Sequence, residues 1–246
     1  MARHRLIALN GAFNFRDLGG YATSDGRSTR WGRLYRSDSL HQLTNEDIRI
    51  VRDLGLRLLI DLRTPSEAQR TDRGLLEAEP ISYLNVSVTR EGSELEERPP
   101  PSPGHDLADR YLSYLEGGGA AFVDALRLMA DPRSYPIVFS CFFGKDRSGV
   151  LAALLLSCLG VEPMEIVNDY ALSEARMEHI VTFLLQDPAY SDTIDRTPPS
   201  LLSANASTMS SFLGALEQQH GGARRWALDA GMSSRDLDSL SLLLLK

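Results

Sequence analysis

Apolar positions along the chain follow two rhythms, short runs of strand length and longer stretches with helical spacing. Leu56 to Ile60 and Ile137 to Phe139 are runs of the kind that form buried strands, and Ile81 to Val88 alternates apolar with polar residues, which predicts a further strand. Arg33 to Leu40 reads as a strand ending in a polar turn, preceded by a hairpin over Tyr21 to Tyr35 that turns at Ser24-Asp25-Gly26. Ile48, Val51 and Leu54 share one face of a helix over 45–54; Thr44 and Asp47 have the spacing of a capping box, and Gly55 is placed to close the helix. Thr64-Pro65-Ser66-Glu67 opens a short second helix. Leu107 to Leu115 and Ala120 to Met129 predict two helices split by Gly117-Gly118-Gly119, with Asp131-Pro132 ending the second. Val150 to Leu159 is an apolar helix, and Pro163 to Gln186 keeps helical period. Thr197-Pro198-Pro199-Ser200 then interrupts, Leu201 to Gln219 is again amphipathic, and a leucine-rich helical tail follows Gly221.

This order predicts an α/β fold, one domain over 1–246 with a central, mainly parallel sheet flanked by helices. In such sheets the residues just past the carboxyl ends of the strands line the site. With Leu56 to Ile60 parallel to Ile137 to Phe139, Asp61 and Cys141 open on the same rim. Thr89 to Gly104 carries Glu94, Glu96 and Glu97 before Pro99-Pro100-Pro101 and Pro103, and predicts a mobile polar loop.

Composition narrows the function. A net charge of -7 with 24% charged and 43% hydrophobic residues is ordinary for a globular chain and gives no basis for binding nucleic acid or an anionic membrane. Cys141 and Cys158 form no disulfide framework, since Cys158 lies within an apolar helix and reads as core. The five histidines show no metal-ligand spacing, so neither a metal nor a cofactor is expected. No apolar stretch reaches signal-peptide or membrane-span length, which predicts cytoplasmic residence without stable membrane association; a monomer is expected.

The chemistry concentrates in Pro136 to Gly149, PIVFSCFFGKDRSG. A strand delivers Cys141 into a turn, and Arg147 follows after five residues, where the next helix begins. That spacing lets the backbone curl with its N–H groups inward, and the helix adds its N-terminal donors and positive dipole end. A phosphate dianion fits such a cradle, whose field also favours the thiolate of Cys141. Arg147 offers a two-pronged donor to two phosphate oxygens. Gly144 permits a bend with positive φ, and Ser148 can hydrogen-bond the sulfur as it becomes a leaving group. Lys145 is notable because Lys246 is the only other lysine.

The string CxxGKDRSG over 141–149, the opening NFRDLGG over 14–20, Asp61-Leu62-Arg63 and Asn168-Asp169-Tyr170 resemble the cysteine-dependent tyrosine phosphatases, in particular the branch with mycobacterial and Listeria members whose loop reads HCxxGKDR[ST]G. The resemblance spans nearly the whole chain. It implies a phosphatase domain with a helical lid within 163–219, and it allows secretion without a signal peptide, as in some relatives. It also implies the family's chemistry, in which Cys141 attacks phosphorus to form a phosphocysteine and an acid protonates the departing oxygen. Asp146 and Asp61 are the candidates for that acid. Asp146 is favoured, because the family places it inside the loop, with Asp61 orienting the loop or Arg147. Phe142, Phe143, Gly144, Lys145, Ser148 and Gly149 are the expected substrate contacts, Phe142 and Phe143 as an aromatic mouth and Lys145 as a seat for a second phosphate. Arg16, Arg63 and Ser140 support the loop, and Arg16 with Asp17 reads first as an ion pair pinning the N-terminus.

One departure stands out: Ser140 occupies the place of the family's loop-bracing histidine. Phosphotyrosine or dual-specificity protein phosphatase is the first reading, and phosphoinositide or inositol-phosphate phosphatase the second. A phospho-binding pseudophosphatase is the alternative that Ser140 motivates. A rhodanese-like sulfur transferase lacks support in the Lys-Asp-Arg-Ser string, and a nucleotide P-loop is excluded because Asp146 follows Gly144-Lys145.

Overall fold

The computed structural model describes residues 4–89, 107–186 and 191–246. In chain order it contains β1 (Arg16–Asp17), β2 (Leu34–Ser37), α1 (Asn45–Leu54), β3 (Leu58–Asp61), α2 (Pro65–Thr71), β4 (Ser82–Asn85), α3 (Leu107–Met129), β5 (Ile137–Ser140), α4 (Asp146–Cys158), α5 (Pro163–Ala171), α6 (Glu174–Leu184), α7 (Ser191–Arg196), α8 (Pro199–Leu202), α9 (Ala206–His220), α10 (Ala223–Asp229) and α11 (Ser234–Leu244). The five strands form one sheet in the order β1-β2-β5-β3-β4, parallel except for the antiparallel β1. The predicted α/β architecture is the one observed.

Side chains alternate across a strand, and both faces of this sheet are covered. Leu34, Leu58, Ile60, Ile137 and Phe139 face the larger core, with α3 and α4. Tyr35, Leu59 and Val138 face the other, with Phe15, Ile48 and Val51. Register places Ser37, Ser140 and Asp61 at one level, so the chain leaves β2, β5 and β3 side by side at the same rim.

Local signals held where the pattern was local. Thr44 and Asp47 form the capping box of α1, Gly55 closes it at φ 65°, and Thr64 with Glu67 caps α2 in the same way. The turn at Ser24-Asp25-Gly26 is present, with Gly26 N–H bonded to the Thr23 carbonyl, but its flanks make an isolated bridge at Ala22 and Ser28 in place of a regular hairpin.

The two helices expected on either side of Gly117-Gly118-Gly119 are one helix, α3. Each glycine costs about 1 kcal/mol relative to Ala in a helix, yet the apolar faces before and after the triplet pack on the same core. Gly118 is also required by contact, since a Cβ there would stand 2.0 Å from the Val88 carbonyl oxygen. The segment expected to be a mobile loop, Thr89 to Gly104, lies outside the described residues beyond Thr89.

The 163–219 stretch divides in two. α5 and α9 pack on each other and on α4 and α3, within the main core. α6 and α7 instead build a separate cluster around Phe142 and Phe143, using Met177, Ile180, Leu184 and Ile194.

Candidate active site

The loop from Cys141 to Arg147 joins the carboxyl end of β5 to the amino end of α4, at the middle of the sheet. Its three successive carbonyls point away from the centre, and each has a donor. Phe142 O accepts from Ser39 N–H at 3.1 Å, Phe143 O from Asn14 Nδ2 at 3.1 Å and Gly144 O from Arg36 Nη2 at 2.7 Å. Carbonyls turned outward direct the following N–H groups inward, which is the arrangement an anion needs. Gly144 sits at φ 65°, and a Cβ on it would stand 2.4 Å from the backbone nitrogen of Asp38. The bend therefore depends on glycine twice, through its φ and through the closeness of the β2 exit. Among the described residues Ser148 Oγ, buried at the start of α4, has no hydrogen-bond partner.

Behind the loop lies a buried charge cluster. Arg16 Nε and Arg36 Nη1 hold the two oxygens of Asp169 at 2.9 and 2.7 Å, and Tyr21 Oη donates to Asp169 Oδ1 at 2.7 Å. Arg16 and Arg36 stand opposite each other in the β1–β2 pair, a like-charge juxtaposition that is unfavourable without a counter-ion. Asp169 supplies it: against the cost of burial, the two guanidiniums hold its carboxyl well below the usual carboxylate range. Burial, and then the charge of Arg16, push Arg36 down to about 10. The expected ion pair of Arg16 with Asp17 gives way to this one, because neighbours in a strand point to opposite faces; the Asp17 carboxylate accepts from the N–H groups of Gly19 and Gly32. Asp38, buried beside Gly144, accepts from Phe13 and Asn14 N–H, and burial raises it to about 6.

Arg147 is aimed by Glu67. Both terminal nitrogens of Arg147 donate to the Glu67 carboxylate, from Nη2 to Oε1 at 2.8 Å and from Nη1 to Oε2. Burial opposes the charge on Glu67, but Arg147 outweighs it and holds the carboxyl down at about 2. This end-on grip uses two of the five guanidinium donors and leaves the Nε edge for a phosphate. The contact to Arg147 expected of Asp61 is made by Glu67, which the sequence marks only as part of the opening of α2. Asp61 lies on the predicted rim but binds Arg63 through Nε and Nη2 at 3.0 and 2.8 Å, and accepts from Tyr83 Oη.

Lys145 and the two phenylalanines differ from expectation. Lys145 is fully buried, and its Nζ donates to the carbonyls of Leu201 and Ser203 at 2.5 and 2.9 Å while standing 3.3 Å from Asp146 Oδ1. It fastens the loop to the end of α8. Phe142 and Phe143, 4% and 2% exposed, are packed against α6 and α7 among the described residues; residues next to a turn between buried elements are drawn into whichever apolar surface covers them. Ser140 is buried at the end of β5, level with Ser37 and Asp61. Asp146 begins α4 and accepts from Tyr111 Oη of α3 at 2.7 Å. Among the described residues no group of His, Cys, Asp or Glu is arranged to hold a metal ion, and no helix is long and apolar enough to cross a membrane. Both cysteines are free, and burial pushes the Cys158 thiol up to about 12.

A buried thiol just past the carboxyl end of β5, followed by an arginine in the first turn of α4, is the arrangement of a cysteine-dependent phosphatase. The model of the tyrosine phosphatase family matches residues 7–246, and the chain belongs to that family. A tyrosine-protein phosphatase of Nostoc commune is 28% identical over 224 residues, covering 85% of this chain and 73% of the relative. The triple specificity protein phosphatase PtpB of Mycobacterium tuberculosis is 25% identical over 276 residues, covering 96% and 98%. Among solved structures, the Siw14 catalytic core aligns with a TM-score of 0.41 at 16% identity over 78% of this chain and 89% of that one. P. aeruginosa TpbA in complex with pTyr aligns with a TM-score of 0.34 at 14% identity over 88% of each.

Proposed function

We propose that the protein hydrolyses phosphotyrosine on protein substrates through a phosphocysteine. Cys141 Sγ attacks phosphorus, Arg147 and the loop N–H groups hold the phosphoryl oxygens, and Asp146 protonates the leaving phenol and then takes a proton from the attacking water. The observation that carries this reading is the outward set of the carbonyls of Phe142, Phe143 and Gly144 on three separate donors. Ser39, Asn14 and Arg36 also hold the loop at three points with Ser140 in place, which favours turnover over mere capture.

Depth favours phosphotyrosine. Cys141 is 2% exposed and Arg147 9%, so a phosphate carried on a rigid aryl arm reaches the thiol where a shorter serine arm does not. Phosphoinositides rank second, because Lys145, the cation expected to seat a second phosphate, is already held by two carbonyls. α6 to α8, resting on the loop through Phe142, Phe143 and Lys145, are the proposed lid.

The test is hydrolysis of an aryl phosphate between about pH 5 and 8 by the wild type and Cys141→Ser, followed by phosphotyrosine peptide, phosphoserine peptide and phosphoinositide at equal concentration. Turnover lost in Cys141→Ser and highest on phosphotyrosine is expected. Retained phosphotyrosine binding without turnover in the wild type would identify a binding module instead, and preference for the phosphoinositide would reverse the ranking.

A further inference from the structure

Among the described residues, the partners of the Asp146 carboxyl converge on one oxygen. Oδ1 accepts from Tyr111 Oη at 2.7 Å and stands 3.3 Å from Lys145 Nζ. Tyr111 has a single hydroxyl proton. Since that proton goes to Asp146, the 2.7 Å contact between the Tyr111 and Tyr170 hydroxyls is donated by Tyr170. The two rings meet edge to face with centroids 6.1 Å apart, and both are buried. Gly149 makes room for this pair, since a Cβ there would stand 3.1 Å from the Tyr170 ring. A directed chain therefore runs from α5 through α3 to the first residue of α4.

We propose that Tyr111 is a positioning residue for proton transfer, with the chain Tyr170–Tyr111–Oδ1 fixing the Asp146 carboxyl so that Oδ2 carries the proton to the leaving group. The inference rests on the reading of Asp146 as the acid. As the P–O bond breaks and the S–P bond forms, the Oδ2–H bond breaks and the proton passes to the departing oxygen, leaving a carboxylate. In the second half, water attacks phosphorus and gives a proton to Oδ2, and Cys141 leaves as thiolate. Hydrogen bonds to an ionised acceptor are about twice as strong as neutral ones, so the Tyr111 bond tightens as the negative charge develops. It acts on the transition state more than on bound substrate. Burial first, and then the Asp146 charge, hold the Tyr111 phenol well above its ordinary value, and it stays a donor throughout the working range. Among the described residues the charged and titratable groups facing Asp146 are Lys145 on its own loop, Arg110 and Tyr111 on α3, and Tyr170 on α5. Lys145 is in turn fixed by the carbonyls at the end of α8.

The experiment measures kcat/KM of the wild type, Tyr111→Phe, Tyr170→Phe and Asp146→Asn on aryl phosphates graded in leaving-group basicity. Loss of a charge-assisted bond predicts that Tyr111→Phe loses at least about tenfold more on phenyl phosphate than on a nitrophenyl ester. Tyr170→Phe should steepen the dependence on leaving-group basicity in the same direction by less, and it decides the matter should Tyr111→Phe not fold. Equal losses on all esters would reduce Tyr111 to a structural role and overturn the proposal. If Asp146→Asn itself loses rate equally on all esters, the acid reading fails, and this inference with it. If Asp146→Asn shows the graded loss and Tyr111→Phe does not, only the inference fails.

Discussion

Glu67→Gln tests the grip on Arg147. The substitution keeps the size of the side chain and removes the negative charge facing a guanidinium that is 9% exposed. Glu67 lies at about 2 in the folded chain against an ordinary 4.5; at 1.36 kcal/mol per unit, that difference is worth about 3 kcal/mol. Removal of one partner from a buried pair costs a comparable ~3–5 kcal/mol. For a chain of this length each kcal/mol moves Tm by about 2–4 °C, so Glu67→Gln should melt roughly 6–12 °C below wild type at neutral pH. The sign with pH follows from the depressed value: the contribution is complete above the unfolded value of 4.5 and is lost as pH falls through about 2. The gap in Tm should therefore be constant from neutral pH to about pH 5 and close below it. Inorganic phosphate, a replacement counter-charge for Arg147, should raise the Tm of the variant more than that of the wild type. Scanning calorimetry across pH, with and without phosphate, measures all three. A gap under about 2 °C at neutral pH, or one that persists undiminished near pH 3, would refute the argument.

Asp169→Ala strands two buried guanidiniums, so in urea titrations it should cost more than Arg16→Met or Arg36→Met alone, by about 2 kcal/mol or more. Gly144→Ala must place a Cβ 2.4 Å from the Asp38 nitrogen at positive φ; aryl phosphate turnover should fall at least about a hundredfold, with far-ultraviolet circular dichroism unchanged. Gly117 has open space around it while Gly118 meets the Val88 carbonyl. Gly117→Ala should therefore stabilise by about 0.5–1 kcal/mol and Gly118→Ala destabilise, and equal effects of the two on Tm would remove the packing account of α3.

What could be read from the chain was what neighbours in sequence decide. Thr44, Asp47 and Gly55 define α1 because a cap is a contact over three or four residues, and Cys141 with Arg147 announces a cradle because one loop holds both. Glu67 shows the boundary well. Its place in the opening turn of α2 is local and legible; its bond to Arg147 spans 80 residues and is not. The same holds for Lys145, whose acceptors are backbone carbonyls that leave no mark in residue type. It holds too for Phe142 and Phe143, whose burial depends on where α6 and α7 settle. Asn168-Asp169-Tyr170 carried a trace of the charge cluster and of the tyrosine chain, yet only the fold shows that Asp169 meets Arg16 and Arg36 while Tyr170 turns to Tyr111.

The register that sets Ser37, Ser140 and Asp61 level has a consequence for how the protein comes into being. The loop draws its supports from Asn14, Arg36 and Ser39 at one end of the chain, Glu67 in the next segment, and Asp169 and Leu201 after it. The shape of the CxxGKDRSG string is thus tied to the folding of segments on both sides of it, and phosphate-dependent protection of Cys141 from alkylation would report when those segments have docked.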